Sequence, residues 1–279
     1  MSPTSAKSTV RKAPAANTPR MKEDRHFVTA LARGLDVLDC FRSSESILGN
    51  QEIAARCKLP KSTVSRLTYT LTKLGYLVYV ADSAKYRLGS AAMSLGMATL
   101  ARLDVRQLAR PLMQQLAEFT KATVALGSHD RQVMIYLDVA RSTTPLTVSL
   151  DVGSRIPVGT TAMGRAYLAL CPESERNQIM ERIRERDEMA WPRIRTGIEK
   201  GLREYRELGC VTSFGDWQKE VNSIGVAFNP GGGRPVMGIT CGGPAFTLSR
   251  DYLLKVARPK LINLVHQLES SLGTAAEAR

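Results

Sequence analysis

Between Lys61 and Lys73 the chain carries side chains whose types and spacing suit them to reading a nucleic acid. On a helical wheel of about 100° per residue, Ser62, Ser65, Arg66, Tyr69 and Lys73 fall in one sector, opposite Val64, Leu67, Leu71 and Leu74. Hydroxyls, a guanidinium and an ammonium on one exposed face can hydrogen-bond phosphates and base edges. Lys61, Ser62 and Thr63 lie at the start of the segment, where unpaired backbone N–H groups attract a phosphate. Arg66 suits direct readout, because its fork matches guanine bidentately. Lys85 and Arg87 follow at a distance suited to the flanking backbone or the minor groove. A solvated helix face looks the same in isolation, so the surrounding elements must decide.

A second stretch, Gly159 to Ala166, has the outline of a phosphate-binding loop. Arg165 stands where nucleotide chemistry needs Lys, and Ala166 where it needs a Mg²⁺-ligating Ser or Thr. What is left is a glycine-containing turn entering a helix, whose free N–H groups can hold a carboxylate. Gly164 would equally let that helix pack closely on a sheet, and the two roles are compatible. The three histidines, His26, His129 and His266, belong to no nucleophile or metal motif. Asp216 and Glu220 are four apart, in a Gly-Asp-Trp loop that defines no geometry for them. The residues thus point to no enzyme, no metal site and no cofactor. The five cysteines include no C-x-x-C and read as reduced thiols, most of them core. Cys57, between Arg56 and Lys58, is the one whose neighbours would depress its pKa.

The elements that must position these residues follow from periodicity. Val28, Leu31, Leu35 and Leu38 recur at helical spacing, with Val37 and Phe41 widening the same face. Gly49-Asn50 offers a turn and an N-cap before a short helix, Gln51–Cys57, which Lys58-Leu59-Pro60 ends. A longer helix runs to Leu74 and stops at Gly75. Tyr76–Val80 and Lys85–Leu88 then read as a hairpin. Three helices followed by a hairpin make a winged helix-turn-helix, and that order lifts the Ser62–Lys73 face above an ordinary solvated one.

Helices are expected over 90–103 and Val105–Thr120. Strands are expected over Thr123–Ser128, Val133–Val139, Leu146–Leu150, Val211–Phe214, Ser223–Phe228 and Val236–Cys241. Further helices fit Thr161–Leu170, Glu173–Arg186, Gly197–Leu208 and Ser249–Leu272. The class is α+β: an antiparallel sheet flanked by helices. The expected division is a disordered basic tail (1–24), a winged helix-turn-helix (25–88), a linker helix (89–104), a second domain (105–273) and a flexible end (274–279).

Composition agrees. The formal net charge is +13, and residues 1–90 hold 15 Lys and Arg against 7 Asp and Glu. That asymmetry suits an anionic polymer as partner. No apolar run approaches the roughly 18–20 residues that span a bilayer, and the start has no secretory pattern. The expected setting is the cytoplasm, with no membrane partner.

Several motifs together resemble one family. Arg33-Gly34-Leu35 with Val37-Leu38, Leu59-Pro60-Lys61-Ser62-Thr63-Val64, Leu74-Gly75-Tyr76 and Tyr86-Arg87-Leu88-Gly89 are similar to the DNA-binding half of the IclR regulators of bacteria. The likeness continues through Leu108-Ala109-Arg110-Pro111, Val152–Pro157, Gly164-Arg165-Ala166 and Gly242-Gly243-Pro244. It implies a GAF-like effector domain, dimers or tetramers through the N-terminal and linker helices, operator DNA and a small organic acid as partners, and no catalysis. Matched by position, the effector would meet the amides of Ala162 and Met163, with Ser213, Asp216, Ser223, Thr240 and Gly242 around it. Asp216 stands in place of a usual Glu, Trp217 adds an indole, and Gly242 has no side-chain donor. Those departures favour an aromatic or acyl carboxylate over a two-carbon acid. Whether DNA binding represses or activates stays open, as does ligand-independent DNA binding.

Overall fold

The computed structural model describes residues 27–41, 47–100, 104–143 and 150–277. The tail expected over 1–24 and the strand expected over Leu146–Leu150, apart from Leu150 itself, lie outside them.

Three helices open the chain: α1 (Thr29–Asp39), α2 (Asn50–Cys57) and α3 (Lys61–Lys73). Gly49, not Asn50, caps α2, and its N–H donates to Glu52 Oε2 at 2.6 Å. That leaves the Asn50 amide to brace α3, through Ser65 at 3.3 Å and Thr68 at 3.1 Å. Left-handed Lys58 ends α2, and Pro60, which suits a helix start, leads into α3. Gly75, at φ 76°, closes α3 and turns the chain into a hairpin of β1 (Leu77–Val80) and β2 (Lys85–Leu88). Leu48 bridges Tyr86 as a short third rung.

A small core of Val37, Phe41, Leu48, Ile53, Val64 and Leu77 holds this unit. It corrects the expected face of α1: Val28, Leu31 and Leu35 are exposed, and only the C-terminal end of the helix meets α2 and α3. A second correction concerns Cys57. Burial, then a hydrogen bond with Cys40, pushes its thiol up to about 12, so its basic neighbours do not decide.

Two helices follow, α4 (Ser90–Leu100) and α5 (Asp104–Thr120). The second domain is a six-stranded antiparallel sheet in the order β5-β4-β3-β8-β7-β6. Its strands are β3 (Thr123–Asp130), β4 (Val133–Arg141), β5 (Arg155–Pro157), β6 (Val211–Phe214), β7 (Val221–Phe228) and β8 (Met237–Pro244). Between them lie α6 (Ala162–Leu170), α7 (Glu173–Arg186) and α8 (Trp191–Leu208), the last starting six residues before Gly197 because Pro192 serves the helix start. The chain ends with α9 (Arg250–Tyr252), a π-helical turn at Leu253–Ala257 and α10 (Arg258–Glu277), which continues past Leu272.

Alternation along the strands divides the side chains between two faces. Val124, Leu126, Ile224, Val226, Phe228, Ile239 and Cys241 join α5 and α10 in one core. Ala125, Met134, Tyr136 and Ile156 join α6, α7 and α8 in the other. Buried Asp138 anchors α5 to β4 by accepting from Arg110 at 2.5 Å and Arg106 at 3.3 Å. Burial of such a charge is tolerable because it is paired and hydrogen-bonded.

Candidate functional site

On α3 the side chains of Lys61, Ser62, Ser65, Arg66, Tyr69 and Lys73 are exposed, while Thr63 is half-buried and Val64 and Thr68 are buried. Leu67 and Leu71 pack on the domain core, whereas Leu74 is exposed. Lys73 Nζ sits 5.6 Å from the centre of the Tyr69 ring, close enough for a cation–π contact. Arg66 has no ion pair among the described residues, so its fork is available to a partner. On the hairpin Arg87 is exposed. Lys85 is instead held 3.2 Å from Glu52, whose carboxyl is kept below the usual range chiefly by the Gly49 N–H, and then by Lys85.

A cavity of about 40 Å³ lies in the second domain, where the start of α6 crosses the sheet. Strand register builds its floor. Thr123 and Ser223 both lie opposite Gly242, and in the next row Ala125 and Gly225 lie opposite Thr240. Small residues let α6 approach: a Cβ on Gly225 would lie 2.7 Å from the Ala162 carbonyl carbon, and one on Gly127 2.6 Å from Met163 Sδ. Gly242 is required by the same crowding, since a Cβ there would lie 2.5 Å from that of Ser223.

Thr161 caps α6. Its hydroxyl accepts from Gly164 N at 3.2 Å and donates to Pro157 O at 2.7 Å. The N–H groups of Ala162 and Met163, in the same first turn, have no intrahelical acceptor, and both residues line the cavity. Thr123 Oγ1 is buried there with no hydrogen-bond partner. Tyr136 hydrogen-bonds Thr240, and burial pushes its phenol up to about 12, so the phenol is neutral at physiological pH. Leu150, Ile156, Met163, Trp217 and Val221 complete a mostly apolar wall with no charged side chain among the described residues that line it.

Of the residues matched by position, Ala162, Met163, Trp217, Ser223, Thr240 and Gly242 therefore surround one cavity. Ser213 and Asp216 do not line it. Ser213 is buried and donates to Thr160 O at 2.9 Å. Asp216 is drawn to Arg165 at 2.6 Å. Arg165 is almost wholly buried; its Nε donates to Gly159 O at 3.0 Å and its Nη1 to Thr212 O at 3.4 Å. A Cβ on Gly197 would lie 2.2 Å from Arg165 Nη2, so α8 is glycine where the guanidinium passes. The side chain in the phosphate-loop Lys position is thus a clamp joining the α6 entry, β6 and the loop carrying Trp217. Sequence reasoning missed Thr123, Tyr136, Leu150, Ile156, Thr161, Val221 and Gly243; only pairing of the strands could have found the first two.

Known proteins share this architecture. The profile described as "IclR helix-turn-helix domain" matches residues 30–81, and "Bacterial transcriptional regulator IclR C-terminal" matches residues 97–270. The HTH-type transcriptional regulator TsaQ1/TsaQ2 of Comamonas testosteroni is 32% identical over 251 residues, covering 89% of this chain and 90% of its own. An IclR family transcriptional regulator from Brucella abortus superposes with a TM-score of 0.79 at 46% identity, over 90% of this chain and 95% of its own. An IclR homologue from Microbacterium hydrocarbonoxydans, solved in complex with 4-hydroxybenzoate, has the same fold (TM-score 0.68, 20% identity, 88% and 99% coverage). With both profiles matched in order on a winged helix-turn-helix and a helix-flanked antiparallel sheet, the chain belongs to the IclR family of bacterial transcriptional regulators.

Proposed function

We propose that this regulator binds operator DNA through α3 and that a small, largely apolar organic acid in the α6 cavity modulates that binding. The unpartnered Thr123 hydroxyl beside the free amides of Ala162 and Met163 carries the reading. Buried polar groups are almost always satisfied, and these three donors border the same cavity, where a carboxylate is the group suited to satisfy them. The apolar wall of Leu150, Ile156, Met163, Trp217 and Val221 would take the body of an aromatic or acyl acid, in keeping with the 4-hydroxybenzoate held by the Microbacterium homologue. A space of about 40 Å³ holds only a few waters, so the ligand enters by displacing its rim, of which the Trp217 loop, tethered through Asp216 and Arg165, is part.

On the DNA side, Ser62, Ser65, Arg66 and Tyr69 meet base edges, Lys61, Thr63 and Lys73 the phosphates, and Lys85 and Arg87 the flanking backbone. Two copies pair through the outward apolar stripe of Phe27, Val28, Leu31 and Leu35. Contiguous apolar patches of this kind mark interaction surfaces, and a two-fold dimer reads two half-sites. The protein works in the cytoplasm as a regulator without catalysis of its own; among the described residues no helix is long and apolar enough to cross a membrane.

Footprinting on the DNA upstream of its own gene, with and without benzoate-type acids and glyoxylate, tests the whole reading. Protection altered by the aromatic acid and not by glyoxylate is expected. Protection insensitive to every acid would establish a ligand-independent DNA binder instead. Quenching of Trp217 fluorescence, with Trp191→Phe as background, locates the acid. Tighter binding of glyoxylate than of the aromatic acid would overturn the choice of ligand.

A further inference from the structure

Two thiols meet in the DNA-binding half. Cys40 follows the last residue of α1, and Cys57 is the last residue of α2. Their sulfurs are 3.1 Å apart, about 1 Å beyond a disulfide bond length of roughly 2.05 Å. Both point to one acceptor, Asp36 O, at 3.3 Å from Cys40 Sγ and 3.5 Å from Cys57 Sγ. Arg56 Nη1 donates to Cys40 O at 2.9 Å, so the two helix ends are already bound together. The remaining cysteines, Cys171, Cys210 and Cys241, are all buried in the second domain.

We propose that Cys40 and Cys57 are an oxidation site at which a hydroperoxide closes a disulfide, stapling α1 to α2. Cys57 is half-buried and Cys40 buried, so the oxidant meets Cys57 first. The peroxide O–O bond breaks as an oxygen passes to Cys57 Sγ, giving a sulfenic acid and, from hydrogen peroxide, one water. Cys40 Sγ then attacks Cys57 Sγ. The S–S bond forms, the S–O bond breaks, and hydroxide leaves with the Cys40 proton as a second water. Two thiols have lost two electrons and the peroxide has gained them. Burial holds the Cys57 thiol protonated at rest, which makes the reaction slow and the reduced pair durable.

The sulfurs need move only about 1 Å, so closure locks the arrangement already present and does not dismantle it. The recognition helix begins four residues after Cys57, and its stance should persist. The closed loop of 17 residues removes freedom from the unfolded chain.

The test treats the full-length protein with hydrogen peroxide, then maps peptides by mass spectrometry without reductant. The expected result is a linked Cys40–Cys57 peptide lighter by two hydrogens, abolished by dithiothreitol and absent from Cys40→Ser and Cys57→Ser. The unfolding temperature of the DNA-binding half should rise by on the order of 10 °C, and affinity for a fixed DNA fragment should change by less than about threefold. Sulfinic acid on Cys57 with Cys40 still alkylatable, or disulfides only between chains, would overturn the site. A drop in DNA affinity beyond about tenfold on closure would overturn the lock. The peptide map uses the wild-type chain alone, so it decides the matter even if a serine variant fails to fold.

Discussion

In the DNA-binding half the chemistry-bearing side chains stand outward from one helix and a hairpin, whereas in the second domain they stand inward from four strands and a helix start. Arg66 and Tyr69 on α3 are exposed, and Tyr69 contacts Lys73 of the same helix. Around the cavity, Thr123, Ser223 and Thr240 owe their meeting to the register of β3, β8 and β7, and Ala162 to the seat those strands offer α6. An outward face can change one residue at a time without disturbing the fold. An inward one cannot, because each polar group there is either satisfied by a neighbour or waiting for a ligand. Stability and function should therefore separate in the first region and stay entangled in the second.

The largest effect should come from the clamp. Arg165→Ala leaves Gly159 O and Thr212 O without their donor and Asp216 without its partner. Removing one member of a buried pair costs about 3–5 kcal/mol; since Asp216 is partly exposed, about 3 kcal/mol is expected, read as a fall in the thermal midpoint of the second domain. An unchanged midpoint would show that the cavity region tolerates single changes as the recognition helix does. Next, Arg66→Ala should weaken specific operator binding by about 1–3 kcal/mol and relax base preference, with the unfolding midpoint unmoved. A folded variant with full affinity would remove Arg66 from the readout.

Thr123→Val offers a finer cut. Replacing an unsatisfied buried hydroxyl by a methyl of similar size should stabilise the free protein by about 1 kcal/mol while weakening the effector about tenfold. Calorimetry with and without the acid would show the two signs; a destabilised free protein would mean that the hydroxyl is already satisfied. The smallest change is expected for Lys85→Ala. A solvent-exposed pair with Glu52 contributes about 0–1 kcal/mol, and with Lys85 so engaged the salt slope of DNA binding should fall by less than about one. A full unit would show that the pair opens on DNA.

The same contrast explains what was legible in the chain. The α3 face and helix α7 follow from local periodicity, which the fold leaves intact. Helix α1 does not: Val28, Leu31 and Leu35 carry the spacing of a core face but are exposed in the single chain. Hydrophobic spacing says that a face is to be covered, not by what. Strand β5 has only three residues, Arg155–Pro157, too few for alternation to register. At the cavity, Trp217, Ser223, Thr240 and Gly242 were reached through family position. Ser213 and Asp216 went elsewhere because Thr160 O and Arg165 bind them first. Thr123 and Tyr136 lie more than a hundred residues from Gly242 and Thr240 in the chain and meet them only through strand pairing, which no local window reports.

The crowded floor limits where the sensor can be changed. At Gly127, Gly225, Gly238 and Gly242 an added Cβ would come within 3 Å of Met163, Ala162 or Ser223. A side chain at Gly225 or Gly242 would have to push α6 or β7 aside, and one at Gly127 or Gly238 would have to displace the Met163 side chain. If the cavity holds the proposed acid, its half-buried wall residues Leu150, Val221 and Trp217 are where ligand choice can be altered with least disturbance of the core. A designer wishing to retune the sensor should begin at those three places.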